Sequence, residues 1–143
     1  GSAAPDSALA LGAKLPYLSA TDDLKAIDDP ASAYYNQIVD QSTVTRPDWA
    51  SCEDMLRHDQ RYAVGAVVAH NVQPLVQGGG SCIFLHVWEA PDRPTAGCTA
   101  MALADMSGIA ARLDGAAAPL LVQLPQAEYE RRRADWGLAV FAP

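Results

Sequence analysis

The sequence is poor in basic residues and contains no long apolar run. Its 143 residues include 10 Lys and Arg against 17 Asp and Glu, which gives a net charge of −7. This excess of acidic residues disfavours binding to nucleic acids and to anionic membranes, because a protein surface that binds them must neutralise their phosphates. No apolar run approaches the roughly 18 residues of a membrane-spanning helix, so we predict no membrane insertion. A chain of this length is expected to form one core.

Cysteine and histidine are also scarce, with three residues of each. Three cysteines are too few for a disulfide scaffold, and no two have the CxxC spacing of a metal or redox pair. The histidines form no HExxH motif, and the sequence has neither a GxGxxG nor a GKS/GKT motif. We therefore expect neither a metal nor a cofactor.

The pattern of residues predicts a mainly β fold with short α-helices. Residues 1–33 combine Ala, Ser, Gly, Pro and Asp without periodicity, so they are predicted to be irregular with at most a short helical turn. Residues 102–113 have apolar positions at spacings of three and four, which predicts a helix. The other predicted elements are a capped helix from Ser51 to about His58, largely buried strands at 62–70 and 82–88, a strand at 119–124 and a short helix at 126–133.

Cys98 is the candidate nucleophile. It lies in a run of small residues, 95–100, that permits a sharp turn and leaves room for a substrate. A thiol becomes a useful nucleophile only as thiolate, which needs a base nearby. His86 precedes Cys98 by 12 positions on a predicted strand, so a strand, turn and return can bring the imidazole to the thiol. His58 and His70 remain alternative bases, and Cys98 itself is alternatively a small buried hydrophobic residue.

Two segments resemble the catalytic region of the L,D-transpeptidases, the YkuD-like cysteine enzymes of bacterial cell-wall assembly. They are Gly79–Trp88 and Pro94–Met101, which carry His86 and Cys98. Residues 28–36, His70-Asn71 and residues 119–125 further resemble a divergent branch of that family. The resemblance covers about residues 15–126 and implies a YkuD-like catalytic domain at 15–143, after an irregular segment at 1–14. The opening strands of the family have no counterpart before Leu15, so we expect an N-terminally truncated or processed piece of a larger domain.

The resemblance implies an acyl-enzyme reaction on peptidoglycan stem peptides. The thiolate of Cys98 would attack the carbonyl between meso-diaminopimelate and D-alanine of a donor stem, with His86 as base and the amides of Gly97 and Cys98 as oxyanion donors. An amine of an acceptor stem would then form the cross-link. A periplasmic or cell-envelope location and reaction with carbapenems are implied as well. Two alternatives stay open: an L,D-carboxypeptidase or amidase, and a catalytically weak cell-wall binding or regulatory module.

Substrate contacts are expected around the same cleft. Trp88 follows His86 by two residues, so both should share a strand face. The other candidates are Tyr34, Tyr35 and Asn36 on an opposing loop, Arg93 as a partner for a stem carboxylate, and Thr95. The alternatives are that the aromatic residues belong to the core and that Arg93 is merely solvated. The family's usual His and Arg beside the nucleophile are replaced by Ala96 and Ala100.

The compartment implied by the resemblance also bears on the remaining thiols. Disulfides persist in the periplasm, and a nucleophilic Cys98 must stay free, which leaves Cys52 and Cys82 as a possible pair. The alternative is two free thiols. The sequence gives no indication of the oligomeric state.

Overall fold

The computed structural model describes residues 14–140, which form two three-stranded sheets and two α-helices. This small mixed structure is compatible with the expected mainly β fold with short helices. In chain order the elements are β1 (Leu24–Ile27), β2 (Ile38–Asp40), β3 (Cys52–Asp54), β4 (Gly65–Val67), β5 (Phe84–Val87), β6 (Thr99–Met101), α1 (Leu103–Arg112) and α2 (Gln126–Trp136). Of the segment expected to be irregular at 1–14, only Lys14 falls within the described residues, and it pairs with Asp114.

The first sheet has the order β2-β1-β3, and both pairings are antiparallel. Its central strand, β1, lies within residues 1–33, so the prediction of irregular chain there is wrong for these four residues. The segments around the sheet are held by carboxylates: Asp29 accepts hydrogen bonds from the amides of Ala31 and Ala50. Asp48 accepts from the hydroxyl of Ser32, which is almost fully buried. The carboxylates of Asp29 and Asp48 therefore tie the neighbouring loops together through hydrogen bonds.

The second sheet has the order β4-β5-β6, with β4 antiparallel and β6 parallel to β5. All four residues of β5 are buried, which confirms the predicted strand at 82–88 with narrower bounds. The predicted strand at 62–70 contains β4, but β4 has only three residues and Val67 is 64% exposed. That region is therefore not largely buried, because β4 lies at the edge of its sheet.

The central strand β5 is covered on both faces. On one face, Leu85 and Val87 pack against the fully buried Met106 of α1. On the other face, Phe84 packs against Ala26 of β1 and against Cys82. Since successive side chains of a strand point to opposite faces, β5 lies between the helix and the first sheet.

Two further predictions are wrong and two are confirmed. Residues 52–54 form β3 instead of a helix, and the hydroxyl of Ser51 donates to Asp28 rather than capping a helix. Residues 119–124 join no sheet, and Leu120 is 91% exposed. The helices at 102–113 and 126–133 are both present as α1 and α2. The second continues to Trp136 and ends at Gly137, whose φ of 63° suits a glycine.

Candidate active site

Cys98 lies in a tight turn directly before β6. Its predecessor Gly97 has a φ of 140°, and a Cβ there would approach Cδ1 of Ile83 to 3.3 Å. A side chain at this position is therefore disfavoured both by backbone conformation and by space. The hydroxyl of Thr95 donates to the carbonyl of Cys98, which closes the turn.

The thiol of Cys98 is half-buried among backbone groups. The amide of Phe84 donates to its sulfur at 3.4 Å, and the sulfur lies 3.7 Å from the carbonyl oxygen of Cys82. Burial raises the pKa of the Cys98 thiol, an effect that the amide of Phe84 opposes and the carboxylate of Glu53 reinforces. The thiol is accordingly neutral at rest, and its use as a nucleophile requires a base.

His86 is in the middle of β5 and is only 6% exposed. Its Nδ1 lies 2.8 Å from the carbonyl oxygen of Val87. A carbonyl only accepts, so we infer that Nδ1 carries a hydrogen, which makes Nε2 the ring nitrogen that can take up a proton. Within residues 14–140, Nε2 has no hydrogen-bond partner. The imidazole is thus held in the tautomer that a base needs.

The register of the parallel pair brings His86 and Cys98 to one face of the sheet. His86 is opposite Ala100, and Cys98, which directly precedes β6, packs against the cluster of Ala26, Cys82 and Phe84. Side chains two residues apart share a face, so His86 and Cys98 are offset by roughly 7 Å along the strands. In the described part of the chain no hydrogen bond joins them. Catalytic contacts of this kind often tighten only when substrate binds.

Two residues that the sequence analysis did not single out lie at this face. The ring of Tyr62 packs edge-to-face on His86, with centroids 5.3 Å apart, and on Phe84 at 5.9 Å. Its hydroxyl donates to Oε2 of Glu53 at 2.8 Å. Burial and the Glu53 carboxylate both raise the pKa of Tyr62, so its hydroxyl keeps its proton. Glu53 was assigned to a helix, and nothing local in the sequence indicates its approach to the thiol.

The predicted substrate loop at 34–36 is largely committed to structural contacts. Tyr35 is 2% exposed and belongs to the core, so it offers no surface to a substrate. Tyr34 packs edge-to-face on Trp49. The side chain of Asn36 is fully used by backbone groups, as it donates to the carbonyls of two residues at 70–71 and accepts from the amide of Cys82.

The other predicted contacts lie nearer to the Cys98 turn. Trp88 follows β5 directly, is half-buried, and its amide donates to the carbonyl of Met101. Arg93 is exposed, and its guanidinium forms no ion pair within residues 14–140. Thr95 is exposed and serves the turn itself.

The alternative bases are elsewhere in the fold. His58 is exposed and lies in the chain segment that connects β3 to β4. His70 is also exposed, and its Nε2 lies 3.0 Å from the carbonyl oxygen of Gly79 in the loop that precedes β5. Neither is on the face of the β5–β6 pair that carries Cys98.

All three cysteines are free thiols. Cys52 is opposite Ile27 in the β1–β3 pairing, whereas Cys82 packs on the neighbouring residue Ala26. Neighbouring residues of a strand point to opposite faces, so Cys52 and Cys82 approach β1 from opposite sides. Burial raises the pKa of Cys82 to about 12, and its sulfur donates to the carbonyl of Ile27.

An apolar cavity of about 290 Å³ has Tyr62 and Phe84 among its lining residues. Neither Cys98 nor His86 lines it.

Among residues 14–140 there is no group of three His, Cys, Asp or Glu side chains that could hold a metal ion. The same residues include no helix of the length and apolarity needed to cross a membrane.

Comparison with known proteins returned no match to a family model, to a curated protein or to a solved structure.

Proposed function

We propose that the protein is a cysteine acyltransferase of the YkuD-like L,D-transpeptidase type, acting on peptidoglycan stem peptides in the periplasm or cell envelope. The observation that carries the proposal is the geometry of His86. Its Nδ1 is held by the carbonyl of Val87, and its side chain shares a face of the β5–β6 pair with Cys98. The resemblance of the flanking segments supplies the substrate class.

The first half of the reaction forms a thioester. Nε2 of His86 takes the thiol proton, and the sulfur of Cys98 attacks the carbonyl between meso-diaminopimelate and D-alanine. The amides of Gly97 and Cys98 are the proposed donors to the resulting oxyanion. When the tetrahedral intermediate collapses, the C–N bond breaks and the departing amine of D-alanine takes the proton back from His86.

The second half regenerates the thiol. An acceptor amine, deprotonated by Nε2 of His86, attacks the thioester, and the sulfur leaves with the proton returned to it. Water in place of the amine would make the protein an L,D-carboxypeptidase with the same residues. Arg93, which is exposed and forms no ion pair with the described residues, suits a stem carboxylate, and Trp88 suits the cleft wall.

A second candidate function is a catalytically weak cell-wall binding or regulatory module. The observation in its favour is the state of the thiol, whose pKa is raised by burial and which has no hydrogen bond to His86 within residues 14–140. Such a protein would bind stem peptides without turning them over.

The test is acylation by a carbapenem, followed by intact mass spectrometry. We expect one covalent adduct on the wild type and on Cys52→Ala, which keeps the nucleophile and serves as the matched control. Cys98→Ala should give no adduct, and His86→Gln should react at least about a hundredfold more slowly, since a positioned base contributes on that order. An unmodified wild type, or an adduct that persists in Cys98→Ala, would contradict the proposal.

Muropeptide products then separate the candidate functions. Cross-linked dimers indicate transfer, free D-alanine without dimers indicates hydrolysis, and binding without either product indicates the weak module.

A further inference from the structure

The imidazole of His86 has little lateral support from its own sheet. Its partners in the β-ladders are Gly65 on β4 and Ala100 on β6. Glycine has no side chain and alanine only a methyl group, so neither can fix the plane of a neighbouring ring. Rotation about the second side-chain torsion of a histidine is soft, because this sp³–sp² torsion has broad minima. A ring in this position therefore needs a contact from another element.

Tyr62 supplies that contact from the segment before β4. Its ring meets the imidazole edge-to-face at 80° and the ring of Phe84 at 74°. Edge-to-face pairs of this kind have a preferred geometry, worth about 1 kcal/mol beyond the area that they bury.

The ring of Tyr62 is itself fixed at two further points. Its hydroxyl donates to Glu53 on β3, which belongs to the other sheet. The guanidinium of Arg57 lies 5.4 Å from the ring centroid, and Asp59 holds that guanidinium through two of its nitrogens. The aromatic ring thus connects the first sheet to the imidazole.

We propose that Tyr62 is a positioning residue for His86, and that it holds the imidazole with Nδ1–H on the carbonyl of Val87 and Nε2 free towards the Cys98 face. The catalytic part of this inference rests on the proposed function, because it takes His86 as the base. The structural part, the fixed orientation and tautomer of the ring, does not depend on any activity. On the orientation of His86, Glu53 acts through Tyr62, as the anchor of its hydroxyl.

The experiment reads the tautomer and the reaction separately. Imidazole nitrogen chemical shifts, assigned with His86→Gln, report which nitrogen is protonated in the 143-residue protein. The rate and affinity of carbapenem acylation are measured on the same samples. Tyr62→Leu removes the ring and Tyr62→Phe removes only the hydroxyl. Tyr129→Leu and Tyr129→Phe are matched controls, since Tyr129 is another buried tyrosine whose hydroxyl donates to a backbone carbonyl, that of Ala139, in the α2 region.

In the wild type we expect a single tautomer with the hydrogen on Nδ1. Tyr62→Leu should give a mixture of tautomers and an acylation step at least about tenfold slower, with the affinity for the carbapenem unchanged, because only the alignment of the base is lost. Tyr62→Phe should slow acylation by about threefold and should give a smaller fraction of the second tautomer than Tyr62→Leu, since the ring stays but loses its anchor. The Tyr129 variants should keep the wild-type tautomer and rate even where their melting temperatures fall.

A wild-type tautomer and rate in Tyr62→Leu would overturn the proposal. If that variant does not fold, Tyr62→Phe decides alone, and an unchanged tautomer and rate there overturn it equally. If the wild type forms no carbapenem adduct, the proposed function fails, while the tautomer measurement still tests the positioning of His86 by Tyr62.

Discussion

Asn36 is the side chain whose loss should disturb the largest number of backbone segments around the site. Its amide nitrogen donates to the carbonyls of His70 and Asn71 at 2.8 and 3.0 Å, and its Oδ1 accepts from the amide of Cys82 at 2.9 Å. One side chain thus joins the loop between β1 and β2 to both ends of the segment that connects β4 to β5. Its φ of 63° is in the left-handed region, which asparagine tolerates better than most residues.

The cost of Asn36→Ala follows from these contacts. Three hydrogen bonds at about 1 kcal/mol each would give roughly 3 kcal/mol if all were buried. One of them is exposed and the other two are only part-buried, which lowers this to about 2 kcal/mol. Placing alanine at a positive φ adds about 1 kcal/mol. We therefore expect Asn36→Ala to lower the free energy of unfolding by about 3 kcal/mol. Asn36→Gly avoids the backbone strain and should cost about 1 kcal/mol less.

Asn36→Asp keeps the shape of the side chain and replaces its hydrogen-bond donor by a carboxylate oxygen. The carboxylate can still accept from the amide of Cys82, but its second oxygen would face two carbonyl oxygens, so the variant should be no more stable than Asn36→Ala. Urea unfolding measures the whole series, and an unchanged slope with denaturant concentration identifies a change in stability alone. The control is Gln37→Ala, which removes one long exposed hydrogen bond and should cost less than about 0.5 kcal/mol. A loss below about 1 kcal/mol in Asn36→Ala, or an Asn36→Asp variant as stable as the wild type, would refute the reasoning.

Three further predictions concern the thiols and the Cys98 turn. Gly97→Ala should slow carbapenem acylation at least about tenfold, because a φ of 140° and the 3.3 Å approach to Ile83 force the turn to shift; Gly108→Ala, in α1, is the control. Glu53→Gln should shift the pH profile of Cys98 alkylation to lower pH, because the carboxylate raises the pKa of that thiol, whereas Glu130→Gln should leave the profile unchanged. Burial raises the pKa of Cys82 to about 12, so the stability that its neutral thiol contributes is complete below the unfolded pKa of about 8.5 and is lost as pH rises towards 12. Between about pH 8 and pH 11 the free energy of unfolding should therefore fall less steeply in Cys82→Ala than in the wild type. Equal slopes would contradict the raised pKa of the Cys82 thiol in the folded protein.

The elements that the sequence predicts are those whose pattern is local. α1 has apolar residues at helical spacing, and β5 lies in a mostly apolar run long enough to be a buried strand. The first sheet has no such pattern, because its strands have three or four residues and are defined by their partners. Lys25 of β1 pairs with Asp54 of β3, for example, and the strand propensity of residues 22–28 does not predict that pairing.

The same distinction applies to the candidate site. Cys98 and His86 can be proposed from residue type, small neighbours and spacing, since each lies in a short informative segment. Tyr62 and Glu53 cannot, because their contacts cross between the two sheets and exist only once β3 is paired with β1. The capping interpretation of Ser51 failed for a related reason. Its hydroxyl has a carboxylate partner, Asp28, that is distant in sequence.

His86 and Cys98 are 12 residues apart in sequence, and the register of the parallel β5–β6 pair brings them together in the candidate site. With His86 opposite Ala100, Cys98 is two positions back and shares the face of the imidazole. A slip by one residue would move Cys98 to the opposite face, where Met106 of α1 packs on Leu85 and Val87. Two features hold the register against that slip. Leu85 and Val87 are buried under α1, and the amide of Phe84 donates directly to the sulfur. The helix that follows Cys98 therefore helps to fix which face the thiol occupies, although it contributes no residue to the candidate site.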